Sequence, residues 1–388
     1  MASLLMRSQG DQNHDVRILT LASSGLRQNP WAHPVLTVRA ALDETLIKDP
    51  KSPGMMSVAR RDYGSNLQAS IRPDSVIHLH WVEGVVNHKQ IAELLGKGRK
   101  IVWTLHDSAP FTGGCHSPMG CSRFTQSCSN CPQVRPAFIP LVSSSHAEIS
   151  RNKFSFKNLR LVAPTNSLAR KAISSSLFRG RRLAVIGNPI SNEYFSTPDR
   201  TLARNRLGIS EADFVGVAIA EQLDNPLKQI PQLLEVFYQA TQRLNKKAVF
   251  ILIGSNGRKI AERHLNCIWV GRLNDEQMTK TIPAADFLIS ASLSESAGMT
   301  VVEAGALGVP TIAIRNGGSE DLIEDGQDGF LVNNLDELGL AIQAASQDRS
   351  LLSALGKSAR VRAAESRADL VSAKYIDLYN QLLADAEI

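Results

Sequence analysis

Residues 292–314 read "SLSESAGMTVVEAGALGVPTIAI". Glu295 and Glu303 stand on either side of Gly298, the apolar run "PTIAI" (310–314) follows, and the run "FLISAS" (287–292) comes before. An apolar run, a glycine-bearing loop, a helix-like segment and a second apolar run make a strand–loop–helix–strand unit. Strands buried on both faces lack the apolar/polar alternation of half-exposed ones. This reading therefore predicts a parallel sheet covered by helices.

The same alternation extends in both directions. "VRILTLAS" (16–23), "SVIHLHWV" (75–82), "KIVWTLHD" (100–107) and "NLRLVAPT" (158–165) read as buried parallel strands in the first half. "FVGVAIA" (214–220), "AVFILIG" (248–254), "CIWVG" (267–271) and "GFLV" (329–332) join the two runs above in the second. Helix candidates between them include "PLKQIPQLLEVFYQATQRL" (226–244) and "NDEQMTKTIPAA" (274–285). Two sets of strands and helices at this spacing predict two doubly wound, Rossmann-like α/β domains. The linker chemistry of Gly187, Asn188 and Pro189, with the polar tail that follows, puts the boundary there and predicts domains over 1–188 and 189–365. Residues 349–383 read as one long helical pattern, with Leu370, Val371, Tyr375, Leu378 and Leu382 on a packed face. Its last part, 366–388, is expected to return to the first domain. The chain opens on "ASLLMRSQ" (2–9), which reads as the end of a helix; no first strand with a glycine turn is read ahead of it.

The 388 residues are 43% hydrophobic and 21% charged, as expected of a soluble globular protein. No apolar run approaches the roughly 18–20 residues that span a bilayer, and the amino terminus lacks a signal-peptide pattern, so a cytoplasmic location is expected. Charge is divided unevenly. Residues 1–190 hold 24 Lys and Arg against 11 Asp and Glu, a net +13; the remainder of the total +6 leaves −7 for residues 191–388. A basic first half is expected either to meet an anionic partner, such as a lipid surface, or simply to be a solvated basic face. No nucleic-acid module is found, and aromatics are only 5%.

Ligands of open α/β sheets bind at the carboxyl ends of the strands. Glu295 falls in such a loop, Gly298 would allow close backbone approach, and the N–H groups of Met299 and Thr300 would open a helix toward an anion. Glu303, in the first helical turn, would reach the same ligand. Carboxylates that accept pairs of hydroxyl hydrogen bonds hold ribose or sugar rings. The same residues also fit a purely structural pattern: Thr300-Val-Val-Glu303 matches a capping box, and Glu295 fits a solvated loop.

The segment "ESAGMTVVEAGALGVPTIAIRNGGSEDLIEDGQDGFLV" (295–332) resembles the donor-site signature of retaining GT-B glycosyltransferases of family 4. A Glu, seven residues, a Glu, a G-x-P strand, a Gly-Gly turn and a closing "DGQDGFLV" occur in that order. The likeness extends to "VIHLHW" (76–81), "VWTLHD" (102–107), "APTNSLAR" (163–170) and "GNPI" (187–190). It implies the GT-B fold, with two Rossmann-like domains facing a central cleft, a nucleotide-sugar donor, retention of configuration and no required catalytic metal. By this resemblance Glu303 would hold the ribose hydroxyls. Glu295, with Ala297, Gly298 and Met299, would hold the sugar and diphosphate. Lys228, which otherwise reads as a helix-surface lysine, would neutralise the leaving diphosphate. "VGRLN" (270–274), with Gly271 and Arg272, would lie near the base, and His106 would face the donor sugar. The family carries an arginine a few residues before the lysine; here Glu221 and Gln222 occupy that stretch. His80, in "HLHW", reads equally as a packing residue or as one that hydrogen-bonds between the domains.

Four of the five cysteines lie in "GGCHSPMGCSRFTQSCSNCPQ" (113–133): Cys115, Cys121, Cys128 and Cys131. Their spacing suits a structural zinc clip, with His116 able to replace one thiol; free or redox-active thiols and disulfides are the other readings. Cys267 reads as a core residue. The expected function is transfer of a sugar to a glycan or lipid-linked acceptor in surface polysaccharide synthesis. The alternatives are a sugar or sugar-phosphate synthase of the same fold, or a catalytically impaired binding protein.

Overall fold

The computed structural model describes residues 1–11, 15–16, 43–58, 71–82, 86–151, 154 and 156–385. The chain divides into two compact units: Ala2–Gly187 with Ser372–Ile388, and Asn188–Val371 together with Met1.

In the first unit, β1 (Val76–His80), β2 (Lys100–Thr104), β3 (Leu159–Ala163) and β4 (Leu183–Val185) form a parallel sheet in sequence order. Ile101, Val102 and Trp103 are fully buried in β2, as expected of a strand covered on both faces. Trp103 packs edge-on against Phe154 and Phe178. All of the expected strand at 16–23 except Val16 lies outside the described residues. β4 is a strand that the run-based reading does not find: three residues long and only half-buried, it carries too little apolar signal.

The second unit holds a six-stranded parallel sheet of β5 (Phe214–Gln222), β6 (Ala248–Ser255), β7 (Cys267–Gly271), β8 (Phe287–Ser290), β9 (Thr311–Ile314) and β10 (Gly329–Val332). Its order is β7-β6-β5-β8-β9-β10. Counted within the unit this is 3-2-1-4-5-6, the order of dinucleotide-binding sheets, and it reverses direction between β5 and β8. Helix Ile230–Thr241 buries Leu233, Leu234 and Phe237, and Phe237 meets Phe250 of β6 edge-on.

The carboxy-terminal pattern is two helices, not one. Arg349–Ala363 and Ala368–Ala384 are separated by the 3-10 turn Ala364–Ser366. The break serves the backbone: Ile190 N–H donates to Ser366 O at 2.9 Å, and Ile190 bridges Arg367. Val371, Tyr375, Leu378 and Leu382 are buried as the spacing predicts, but Leu370 is 47% exposed. Beyond Ser372 the last helix belongs with the first unit, where the Tyr375 hydroxyl lies 2.9 Å from Thr104 Oγ1 and the Tyr379 hydroxyl 2.6 Å from His78 Nδ1. Among the described residues no helix is long and apolar enough to cross a membrane.

Candidate functional site

The reversal between β5 and β8 opens a crevice at the carboxyl ends of those two strands. After β5 comes the turn Pro226–Lys228, capped by Asn225, whose side chain accepts from Leu227 N–H at 3.0 Å. After β8 comes the loop that carries Glu295. The two loops are tied together, since Leu293 N–H donates to Leu227 O at 2.9 Å. Lys228 Nζ consequently meets Glu295 Oε2 at 2.8 Å, with the side chains 27% and 25% exposed. Both charges are accessible to a ligand yet partly desolvated, which strengthens what they do electrostatically.

Glu295 is held from behind by the Gly-Gly turn after β9. It bridges Gly317, and a Cβ on Gly318 would come within 2.5 Å of the Glu295 carbonyl oxygen. Asn316 Nδ2 donates to Ser292 O at 2.9 Å on the same loop. Helix Met299–Ala306 then starts from Gly298 in the left-handed conformation (φ 52°, ψ 41°), with no side-chain cap. The capping-box reading of Thr300 and Glu303 is thereby overturned. Thr300 is already inside the helix, and Glu303 opens its second turn rather than lying in its first. The N–H groups of Met299 and Thr300 begin a helix whose dipole favours an anion. Ala297 is the loop residue just before Gly298.

Glu303 is half-buried, and its carboxyl is pushed up to about 7, first by desolvation and then by the Asp275 carboxylate. Tyr194 shares this corner: buried, it donates from its hydroxyl to Asp275 Oδ1 at 3.4 Å. Its own ionisation is pushed up by burial, then by Glu303 and Asp275. Asp275 opens the helix that follows Gly271 (φ 81°), so Glu303 and the 270–274 loop lie at one corner of the sheet. Arg272 pairs with Glu221, both exposed. A guanidinium thus stands over the end of β5, where the family pattern's arginine is missing. Tyr194 and Asp275 were not singled out in the sequence, and no motif marks them: they are 81 residues apart.

His106 belongs to the first unit, just beyond β2. Its Nε2 is 3.1 Å from His80 Nδ1, and the two rings stack at 5.3 Å. His80 in turn lies against His78, which Thr104 and Tyr379 hold through both ring nitrogens. Burial lowers all three histidines, His80 to about 3, which favours the uncharged trio near neutral pH, and among the described residues His106 Nδ1 has no hydrogen-bond partner. His80 is therefore a hydrogen-bond partner of His106, more than packing. Asp107 accepts from Ala109 N–H at 2.8 Å and meets His116 Nδ1 at 2.7 Å. The other nitrogen of His116 lies 2.8 Å from Ser57 Oγ, so both are engaged and His116 has none left for a metal.

Cys115, Cys121, Cys128 and Cys131 are free thiols that line one cavity. Burial pushes Cys115 and Cys128 up to about 12 and raises Cys131. Among the described residues no three His, Cys, Asp or Glu side chains already form a group that could hold a metal ion. Cys267 is half-buried, and its ionisation too is pushed up by burial.

Residues 200–362 match the family model described as "Glycosyl transferases group 1". A D-inositol 3-phosphate glycosyltransferase of Geodermatophilus obscurus is 31% identical over 216 residues, 50% of this chain and 47% of that protein. The chain spans about half the length of the curated relatives it matches. Among solved structures, sucrose-phosphate synthase of Thermosynechococcus elongatus aligns with TM-score 0.59 and 19% identity over 80% of this chain and 74% of that one. WaaG, a glycosyltransferase involved in lipopolysaccharide biosynthesis, aligns with TM-score 0.58 and 16% identity over 81% and 93%. The two parallel-sheet α/β units have the fold of GT-B glycosyltransferases, and the family match falls on the unit that carries Lys228, Glu295 and Glu303.

Proposed function

We propose that the chain is a retaining glycosyltransferase of family 4 type, moving a sugar from a nucleotide-sugar donor to a glycan or lipid-linked acceptor in surface polysaccharide synthesis. The observation that carries this reading is the contact of Lys228 with Glu295 at the point where the strand order reverses. There a cation, a carboxylate and an uncapped helix start are offered to one ligand.

In this reading the diphosphate lies against the N–H groups of Met299 and Thr300 and against Lys228, with Arg272 supplying a second positive charge. Glu303 accepts the ribose hydroxyls, and Glu295 with Ala297 and Gly298 orients the sugar. His106 faces the sugar through its remaining nitrogen. The acceptor hydroxyl attacks the anomeric carbon as the bond to the diphosphate breaks on the same face, and its proton passes to the departing phosphate oxygen. Lys228 acts at that moment, because charge concentrates on the leaving group. The basic residues of the first 190 would meet an anionic membrane at its cytoplasmic face.

A small phosphorylated acceptor is the second reading, favoured by the name of the Geodermatophilus relative. A thermal-shift panel of nucleotide diphosphates and nucleotide sugars, run on wild type, Glu303→Ala and Lys228→Ala, tests the donor site. A ligand at about 100 times its Kd stabilises by roughly 2.7 kcal/mol. A shift for one nucleotide sugar that both variants lose supports the reading. A folded protein that responds to none overturns it in favour of an impaired, glycosyltransferase-like binding protein. Transfer assays with lipid-linked, glycan and sugar-phosphate acceptors then separate the two enzymes.

A further inference from the structure

The loop between β2 and helix Ile139–Arg151 has only short 3-10 turns for regular structure, yet it encloses a cavity of about 10 Å³. Such a volume admits one water-sized occupant and no organic ligand. Cys115, Cys121, Cys128 and Cys131 all line it, with Gly113, Pro118, Phe124 and Val142 among the closing residues. A buried lone cysteine is an ordinary small hydrophobe. Four of a chain's five gathered around one ion-sized space are not what a core requires.

Hydrogen bonding at the sulfurs points the same way. Arg123 N–H donates to Cys121 Sγ at 3.5 Å, and its guanidinium reaches the same atom at 4.0 Å. The N–H groups of Gln133 and Val134 serve Cys131, and that of Gly113 serves Cys128. The Thr112 hydroxyl donates to the Cys115 carbonyl oxygen at 2.9 Å rather than to its sulfur. A neutral thiol is a weak acceptor, whereas a thiolate bound to a cation is a strong one. None of the four is in a disulfide.

We propose that Cys115, Cys121, Cys128 and Cys131 bind one Zn²⁺ as a structural tetrathiolate clip. Soft sulfur ligands in fourfold coordination select zinc, and four of them leave no open position for catalysis. His116 stays outside the site, held by Asp107 and Ser57. The thiols lose their protons to solvent as the metal binds. Because no three ligands yet form a metal group, the sulfurs draw together around the ion on binding. The clip then fixes a loop of a length that rarely orders without such help.

The test is elemental analysis of the untagged full chain, purified under reducing conditions, independent of any transferase assay. About one zinc per chain is expected, released when a mercurial blocks the thiols. Cys128→Ser and Cys131→Ser should lose the metal, and Cys267→Ser should keep it. If the serine variants do not fold, Co²⁺ added to metal-stripped wild type provides the second reading: the visible bands of tetrahedral cobalt thiolate are expected. Reactive thiols with neither zinc bound nor cobalt spectrum would overturn the proposal. So would disulfides found by intact mass, or iron with acid-labile sulfide.

Discussion

Glu303 has a carboxyl pushed up to about 7, first by loss of water and then by Asp275. A group raised in the folded state contributes stability that is full below its unfolded value, near 4.5, and is lost as pH rises through 7. Ligand binding runs the other way, because only the ionised carboxyl accepts from two hydroxyls. Between pH 6 and 8 the ionised fraction of the free protein rises from about a tenth to about nine-tenths, so donor Kd should tighten up to about tenfold. Calorimetric titration at several pH values checks this, and Glu303→Gln should bind weakly and without that dependence. In the proposed function Lys228 acts on the leaving group rather than on donor binding alone. Lys228→Ala should therefore lower kcat by about 10²–10³-fold, measured by nucleoside diphosphate release at saturating donor. A change confined to KM would assign Lys228 to ground-state binding instead.

Elements bring these residues together, and two fixings, one inside the signature segment and one outside it, hold them. Gly298 starts the Glu303 helix at positive φ, and a Cβ there would sit 2.4 Å from Leu322 Cδ1. Gly298→Ala should cost about 1–3 kcal/mol, and donor affinity should fall with it because the helix start moves. Arg204 is fully buried and donates to the carbonyls of Ala284, Ser210, Glu211 and Asp213, and to Asp286 Oδ2 at 3.2 Å. It pins helix Arg200–Leu207 to the entry of β5 and to the turn before β8. Arg204→Ala should cost about 3 kcal/mol or more, read from the urea midpoint, since four carbonyls lose their donor; Lys has no fork with which to replace it. The placement of Glu295 at a strand end was legible, because apolar runs locate strands and ligands gather at their carboxyl ends; Lys228 was marked by the family resemblance alone and otherwise read as a helix-surface lysine. Arg204, Tyr194 and Asp275 were not legible. Their partners are local neither in sequence nor in periodicity, and an arginine in a polar helix reads as surface until its acceptors are seen.

Over the whole molecule, legibility follows the length and apolar content of each run more than burial, since the half-buried β1 and β7 were also read as strands. Fully covered strands such as β5, β6 and β8 announce themselves as continuous apolar runs; β4, half-exposed and three residues long, does not. The helical pattern over 349–383 hid a break, because Ala364–Ser366 has good helix formers and turns only for a backbone bond to Ile190. The sequence was equally silent on the acid–base state of the first unit, since a histidine's burial is a tertiary fact. Burial lowers His88 to about 4 and His80 to about 3, and lowers His78 as well. A histidine depressed in the folded state contributes stability that is full above its unfolded pKa near 6.5 and is lost as pH falls toward the folded value. His88 alone should cost roughly 2 kcal/mol by pH 5, the other two add with the same sign, and Glu303, raised to about 7, offsets about one of the three. Its Nε2 donates to Pro110 O at 2.6 Å, a bond that a glutamine amide can imitate without titrating. Urea unfolding of the full chain, followed at pH 7 and pH 5, should show the midpoint falling on the acid side. His88→Gln should fall by less. A midpoint equal at the two pH values in a Glu303→Gln background would mean that these histidines keep their ordinary pKa values in the folded protein, and that the neutral trio around His106 has been misassigned.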